Sequence, residues 1–252
     1  MDIWQTMILG TVQGIAEWLP ISSSGHLVLF EHWLGIKEAV IEFDIFLHLA
    51  SFFVVIIFFR KQLRQVIQDF FAPKKFFHRS RRLWGWYIII STIVTGVLGW
   101  MFYQQIELFR TPESVAGWLM VTTLLLLATI FRKEKGHFGF SHAIILGLMQ
   151  GLAVLPGLSR SGAVIAMALI LGLKKKDAFD YAFLLAIPAI GGSFLLSLNN
   201  FSWQWIYLSG FIVAFAVGYA SLILLKKIID SNYFHWFFVY TLLLSLLVFS
   251  LS

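Results

Sequence analysis

Residues Gln13 to His26, Gln-Gly-Ile-Ala-Glu-Trp-Leu-Pro-Ile-Ser-Ser-Ser-Gly-His, bring a carboxylate, three hydroxyls and an imidazole into one short interruption of a very apolar chain. Such a set suits proton transfer and nucleophilic attack. A second stretch, Gln150 to Gly162, has a similar layout. At an offset of 137 residues, Gln13, Gly14, Ala16, Ser22, Ser24 and Gly25 fall on the same types at Gln150, Gly151, Ala153, Ser159, Ser161 and Gly162, the mark of a tandem duplication. The copies differ where chemistry is expected: Glu17 falls on Val154, Ser23 on Arg160 and His26 on Ala163. One half supplies a carboxylate and an imidazole, the other a guanidinium.

Gln13 and Glu17 are four apart, so a helix places both on one face, able to act on one ligand. A carboxylate at membrane depth costs at least roughly 2.5–3.5 kcal/mol and needs water, a cation or a positive partner. Arg160 is the obvious partner, and a structural ion pair between the two is the plain alternative to a functional one. Ser22, Ser23 and Ser24 lie between a helix stop and a new helix at Gly25, where free N–H groups and the helix dipole favour an anion. The run Ser159-Arg160-Ser161-Gly162 repeats this with a guanidinium that can grip phosphate oxygens in pairs. Together the two loops point to a phosphate or diphosphate ligand, although either serine cluster alone would read as helix capping. His26, one turn into its helix, is placed to look back at the serines as general base or acid of phosphoryl transfer, with Arg160 stabilising the transferring group. His48, in an apolar span without such company, reads as structural. The ten Trp read as core and interface anchors.

The elements that must position these residues are membrane helices. With 59% hydrophobic and only 13% charged residues, the composition lies outside the range of soluble domains. Several runs reach the roughly 20 apolar residues of a spanning helix, with no soluble module between them. No removable signal peptide is expected, since no basic segment precedes the first apolar run. The absence of cysteine excludes disulfides, thiolate metal sites and cysteine nucleophiles. The net charge of +6 does not indicate nucleic acid, because the basic residues are distributed as topology markers.

Residues 3–19 and 25–34 predict two helices broken at Pro20, each short for a span, as in a re-entrant hairpin. A second broken element covers 141–173. Full spans are expected at about 41–59, 85–104, 115–131, 178–198, 205–225 and 233–251, with a basic cytoplasmic loop at about 60–84. Of the 19 Lys and Arg, all but Lys37, Arg110 and Arg160 then fall on the cytoplasmic side. Both termini are placed outside, and the two hairpins dip in from opposite faces to meet near the midplane. The expected fold is an all-α polytopic membrane protein of one domain, 1–252, with two inverted-topology repeats at about 1–131 and 141–252. Secondary transporters also place their sites on broken helices between inverted repeats, so this architecture admits a carrier as well as an enzyme.

At these residues the chain resembles the undecaprenyl-diphosphate phosphatase family, membrane enzymes linked to bacitracin resistance. The resemblance rests on a Glu/Gln-x-x-x-Glu motif, here Gln13 to Glu17, a Ser-Ser-Ser/Thr-Gly-His run, here Ser22 to His26, and Pro-Gly-x-Ser-Arg-Ser-Gly, here Pro156 to Gly162. Similarity from Phe43-Asp44 to Arg60 and over Phe183 to Pro188 extends it along most of the chain. It implies hydrolysis of the terminal phosphate of a C55 polyprenyl diphosphate, regenerating the monophosphate carrier lipid for peptidoglycan synthesis, at a site open to the outer face of the bacterial plasma membrane.

By the same resemblance Ser23 is the nucleophile, His26 the acid or base, and Arg160 the diphosphate ligand. Gln13, Ser22, Ser24, Gly25, Gly157, Ser159, Ser161 and Gly162 complete the binding loops. Gln13 and Glu17 are the implied ligands of a divalent cation, Mg²⁺ or Ca²⁺. Two departures stand out: Gln13 is neutral, and Val164 replaces a Thr found in many relatives. The implied partners are the polyprenyl diphosphate and membrane lipids, with a homo-oligomer as a further possible state. The alternative function is a polyprenyl-phosphate flippase, which needs the head-group site but no nucleophile.

Overall fold

In the computed structural model, residues 1–36, 41–71, 83–103, 105–136, 138–197 and 204–251 are described. Eleven α-helices run through them, and these residues contain no strand. The first pair is α1 (Ile3–Ala16) and α2 (Ser23–Trp33). Asp2 starts α1 with a reciprocal capping box, its carboxylate accepting from Gln5 N–H at 2.8 Å while the Gln5 side chain takes the Asp2 N–H at 2.9 Å. The second pair is α7 (Phe140–Leu152) and α8 (Arg160–Ile170). At 1.5 Å per residue these four helices are about 16 to 21 Å long, short of the roughly 30 Å of a hydrocarbon core.

The remaining helices are α3 (Ile41–Phe58), α4 (Arg60–Phe71), α5 (Trp84–Tyr103), α6 (Pro112–Ala128), α9 (Lys175–Ser197), α10 (Tyr207–Asp230) and α11 (Phe237–Leu251). Among the described residues, five segments are long and apolar enough to cross a membrane, and a sixth if α3 and α4 count as one bent span. The chain is thus a multi-pass membrane protein, with the spans close to those expected. The segment after residue 59 differs from the expected loop. α4 continues as a helix bent 73° from α3, because Arg60, Lys61 and Arg64 favour water over hydrocarbon. The basic residues from Lys74 to Arg82, and Lys37, lie outside the described residues.

Glycine contacts interleave the two halves of the chain. α1 lies on α10, where a Cβ on Gly10 would collide with the Gly210 carbonyl and one on Gly14 would come within 2.9 Å of Ala214 O. α7 lies on α5 in the same manner, with Gly147 against Ser91 O and Gly151 against Leu98. Close approach through small residues is how helices associate where no hydrophobic effect drives them. Hydroxyls add polar ties: Ser91 Oγ donates to Ala143 O at 2.6 Å, Thr95 Oγ1 to Gly147 O at 3.0 Å, and Ser245 Oγ to Ala116 O at 2.8 Å. Trp18, Leu19 and Ile21, from the first helix break, pack in one buried cluster with Phe59, Tyr181 and Phe183.

Candidate active site

Each helix pair breaks where its sequence demands. α1 ends at Ala16 ahead of Pro20, and Ser22 caps α2 by accepting the Gly25 N–H at 3.2 Å. α7 ends at Leu152, Gly157 takes φ +100°, and Ser159 caps α8 by accepting the Gly162 N–H at 3.1 Å. Gly157 has left-handed backbone and touches Gly25, so both positions exclude a side chain: a Cβ on Gly25 would come within 3.0 Å of Gly157, and one on Gly157 would meet Val115 and Trp118.

The two breaks interlock. Ser22 Oγ also accepts the Gly157 N–H at 3.1 Å, and Ser161 Oγ donates to Leu19 O at 3.1 Å. Arg160 Nη2 donates to Glu17 Oε1, joining the guanidinium of one repeat to the carboxylate of the other. That pairing is the one expected from the sequence.

Glu17 is the hub. It is buried at the end of α1, and its Oε2 accepts from Ser23 Oγ at 2.6 Å and from Gln13 Nε2 at 3.1 Å. Gln13 Nε2 lies also 3.2 Å from Ser51 Oγ on α3. Ser23, Ser24 and Arg160 are half-buried, so the nucleophile candidate and the cation are open to a ligand, whereas Ser22, Ser159 and Ser161 are buried. Arg160 Nη1 is buried and makes no hydrogen bond to the protein. Each capping serine takes one N–H of its helix. An α-helix leaves its first four N–H groups without intrahelical acceptors, so anion donors remain at both N-termini.

Ser22, Ser159 and Ser161 are buried and hold the loops together with their hydroxyls. Gly25, Gly157 and Gly162 serve by letting the loops touch; a Cβ on Gly162 would come within 3.0 Å of Pro20. The ring nitrogens of His26 bond to groups other than Ser23: Nδ1 lies 2.8 Å from Ser22 O and Nε2 lies 2.7 Å from the Tyr240 hydroxyl on α11. The group within hydrogen-bond reach of Ser23 is Glu17.

His48 has the company that the sequence reading denied it, with Nε2 3.4 Å from Glu17 Oε2 and Nδ1 2.7 Å from Asp44 O. The spacing of Asp44, His48 and Ser51, at i, i+4 and i+7 along one apolar helix, was the signal that all three share a face. Tyr240 had a weaker signal, as the single tyrosine of α11.

The fit to a divalent cation is poor. The described residues contain no group of three or more His, Cys, Asp or Glu placed to hold a metal. Both oxygens of Glu17 face donors, which suits a guanidinium, whereas Mg²⁺ demands near-octahedral oxygens. Gln13 Oε1, buried and without a partner, is a single spare oxygen. Ser22 adds local strain. Its φ of 72° is left-handed, a conformation that costs a non-glycine residue on the order of 1–3 kcal/mol and recurs at functional sites.

Comparison with known proteins gives a match to the family described as Bacitracin resistance protein BacA over residues 6–247. Among curated relatives, an undecaprenyl-diphosphatase of Methanosphaera stadtmanae is 37% identical, with 100% of this chain and 99% of the relative covered. One of Desulfosudis oleivorans is 38% identical over 97% of this chain and 96% of its own length. Undecaprenyl-diphosphatase 1 of Shouchella clausii is 35% identical over 99% and 96%.

Proposed function

The chain belongs to the bacitracin resistance protein BacA family, and from that membership we propose that its site hydrolyses undecaprenyl diphosphate to undecaprenyl phosphate and inorganic phosphate. The observation that carries the assignment of roles is the 2.6 Å hydrogen bond from Ser23 Oγ to Glu17 Oε2. A serine hydroxyl is a weak nucleophile until an adjacent base takes its proton, and Glu17 is that base.

In this reading the diphosphate lies between the N-termini of α2 and α8, with the Arg160 guanidinium on a terminal phosphate oxygen. Ser23 Oγ attacks the terminal phosphorus as its proton passes to Glu17 Oε2. The bond from that phosphorus to the bridging oxygen breaks, and undecaprenyl phosphate leaves with the bond electrons. Water then opens the phosphoserine as the proton that Glu17 took first returns to Ser23 Oγ; Glu17 takes a proton from that water and passes it to the departing phosphate or to solvent, which restores the carboxylate. Arg160 and the helix N-termini offset the charge on the transferring phosphoryl group. A divalent cation, Mg²⁺ or Ca²⁺, belongs in this reading to the diphosphate and not to the free protein. The site faces the outer side of the plasma membrane, with both termini outside and the two halves inverted, as the distribution of Lys and Arg supports.

The test is phosphate release from undecaprenyl diphosphate by the purified protein in detergent. Wild type should turn over, and Ser23→Ala should bind the lipid diphosphate without releasing phosphate. A well-folded wild type that binds the lipid but releases nothing would sink the hydrolase, and full activity in Ser23→Ala would sink the assignment of the nucleophile.

A further inference from the structure

The polar groups of α11 divide between two neighbours. Thr241 Oγ1 pairs with Thr123 Oγ1 at 2.8 Å and Ser245 donates to Ala116 O, both on α6. Tyr240 turns instead to His26. Its hydroxyl is 2.7 Å from Nε2, and the two rings stack at a centroid distance of 5.8 Å with 11° between their planes.

The partners of His26 define its protonation pattern. A backbone carbonyl only accepts, so Nδ1, facing Ser22 O at 2.8 Å, carries a proton. In the neutral ring Nε2 is then the acceptor, and the phenol donates to it. The Ser22 carbonyl at the far end also accepts the His26 backbone N–H at 3.1 Å and belongs to the residue with φ 72°. A left-handed serine persists only where its surroundings hold it. The Ser22 side chain is held by Gly25 and Gly157, and its carbonyl by His26, which Tyr240 holds in turn. The next residue along the chain is Ser23.

We propose that Tyr240 is a positioning residue for the reaction: acting through His26, its hydroxyl fixes the Ser22 turn in the conformation that presents Ser23 to Glu17. The inference rests on the phosphatase reading of the site. The last helix of the chain thereby sets the aim of a nucleophile in its first polar loop, through two hydrogen bonds and a ring stack. Tyr240 itself is well exposed, so removing its hydroxyl leaves the core packing in place.

Tyr240→Phe keeps the ring and deletes the donor. Misplacing a reacting group costs turnover far more than binding, so kcat should fall about tenfold with KM within about twofold of wild type. Unchanged kcat would overturn the proposal, as would a loss shared equally by kcat, KM and thermal midpoint, which marks packing. An independent arm uses ¹⁵N-histidine spectra of the wild type, with the His26 signal identified by its absence in His26→Gln. The proposal expects the Nδ1–H form, with an Nε2 resonance that moves in Tyr240→Phe. A wild-type His26 protonated on Nε2 alone would overturn it whatever the kinetics. Wild type that releases no phosphate would sink the phosphatase reading instead, and the spectra would still report on the contact.

Discussion

Ser23 and Glu17, six residues apart on either side of a helix break, meet at 2.6 Å, hydroxyl to carboxylate. The same carboxylate receives Arg160 from the other repeat on its second oxygen. In the proposed mechanism the nucleophile Ser23 and the anion clamp Arg160 therefore share one buried base. Glu17→Gln keeps its shape and removes its ability to take the Ser23 proton. Loss of a general base costs about 10²- to 10⁴-fold in turnover, and the expected kcat in the phosphate-release assay falls in that range. Activity within about threefold of wild type would show that another group takes the proton.

Arg160→Lys tests the guanidinium. A lysine has one compact ammonium in place of the planar fork whose Nη2 pairs with Glu17. The expected loss in kcat/KM is about 10²- to 10³-fold. Arg160→Ala should also lower the thermal midpoint in detergent, since leaving one member of a buried pair unpaired costs roughly 3–5 kcal/mol. Glu17→Gln added to Arg160→Ala should restore much of that midpoint, but none of the turnover.

Arg110 makes a second such cluster. From the connection before α6, its Nη2 reaches Glu31 Oε2 on α2 at 2.7 Å and Asp44 Oδ2 on α3 at 3.0 Å. Both carboxylates are buried. Arg110→Ala should destabilise the fold by roughly 3–5 kcal/mol, read as a lower midpoint of thermal or denaturant unfolding. Joint replacement by Arg110→Ala, Glu31→Gln and Asp44→Asn should be more stable than Arg110→Ala alone, because it removes the stranded charges.

Gly10→Ala probes the contact between α1 and α10. The added methyl would overlap the Gly210 carbonyl, and neither backbone can yield without moving its helix. Overpacking of this kind costs about 1–3 kcal/mol. Gly96→Ala on α5, with nothing within 4 Å of the added Cβ, is the control and should leave the unfolding midpoint unchanged or slightly higher.

The sequence by itself determined the class of molecule and the main cast of the site. Apolar runs of spanning length have no other stable use, so the six spans could be read closely. The repeat of Gln13 to Gly25 at Gln150 to Gly162 tied the two loops together. A Glu and an Arg at membrane depth in two matched breaks all but require each other, which made Glu17 and Arg160 legible as a pair.

Tertiary structure decided how those residues divide the work. Which serine is spent on a neighbouring N–H depends on how closely two backbones approach, a distance that no local pattern encodes; Ser22 proved a staple to Gly157, and Ser23 remained for Glu17. His26 has two nitrogens, and the partner of each comes from chain folding: Ser22 lies four residues away, but Tyr240 lies 214 residues away. His48 joined Glu17 for the same reason, since the packing of α3 against α1 sets that contact while helical periodicity fixes only which residues share a face. Residue types and period are properties of the sequence, whereas the direction of a hydrogen bond between distant segments is a property of packing.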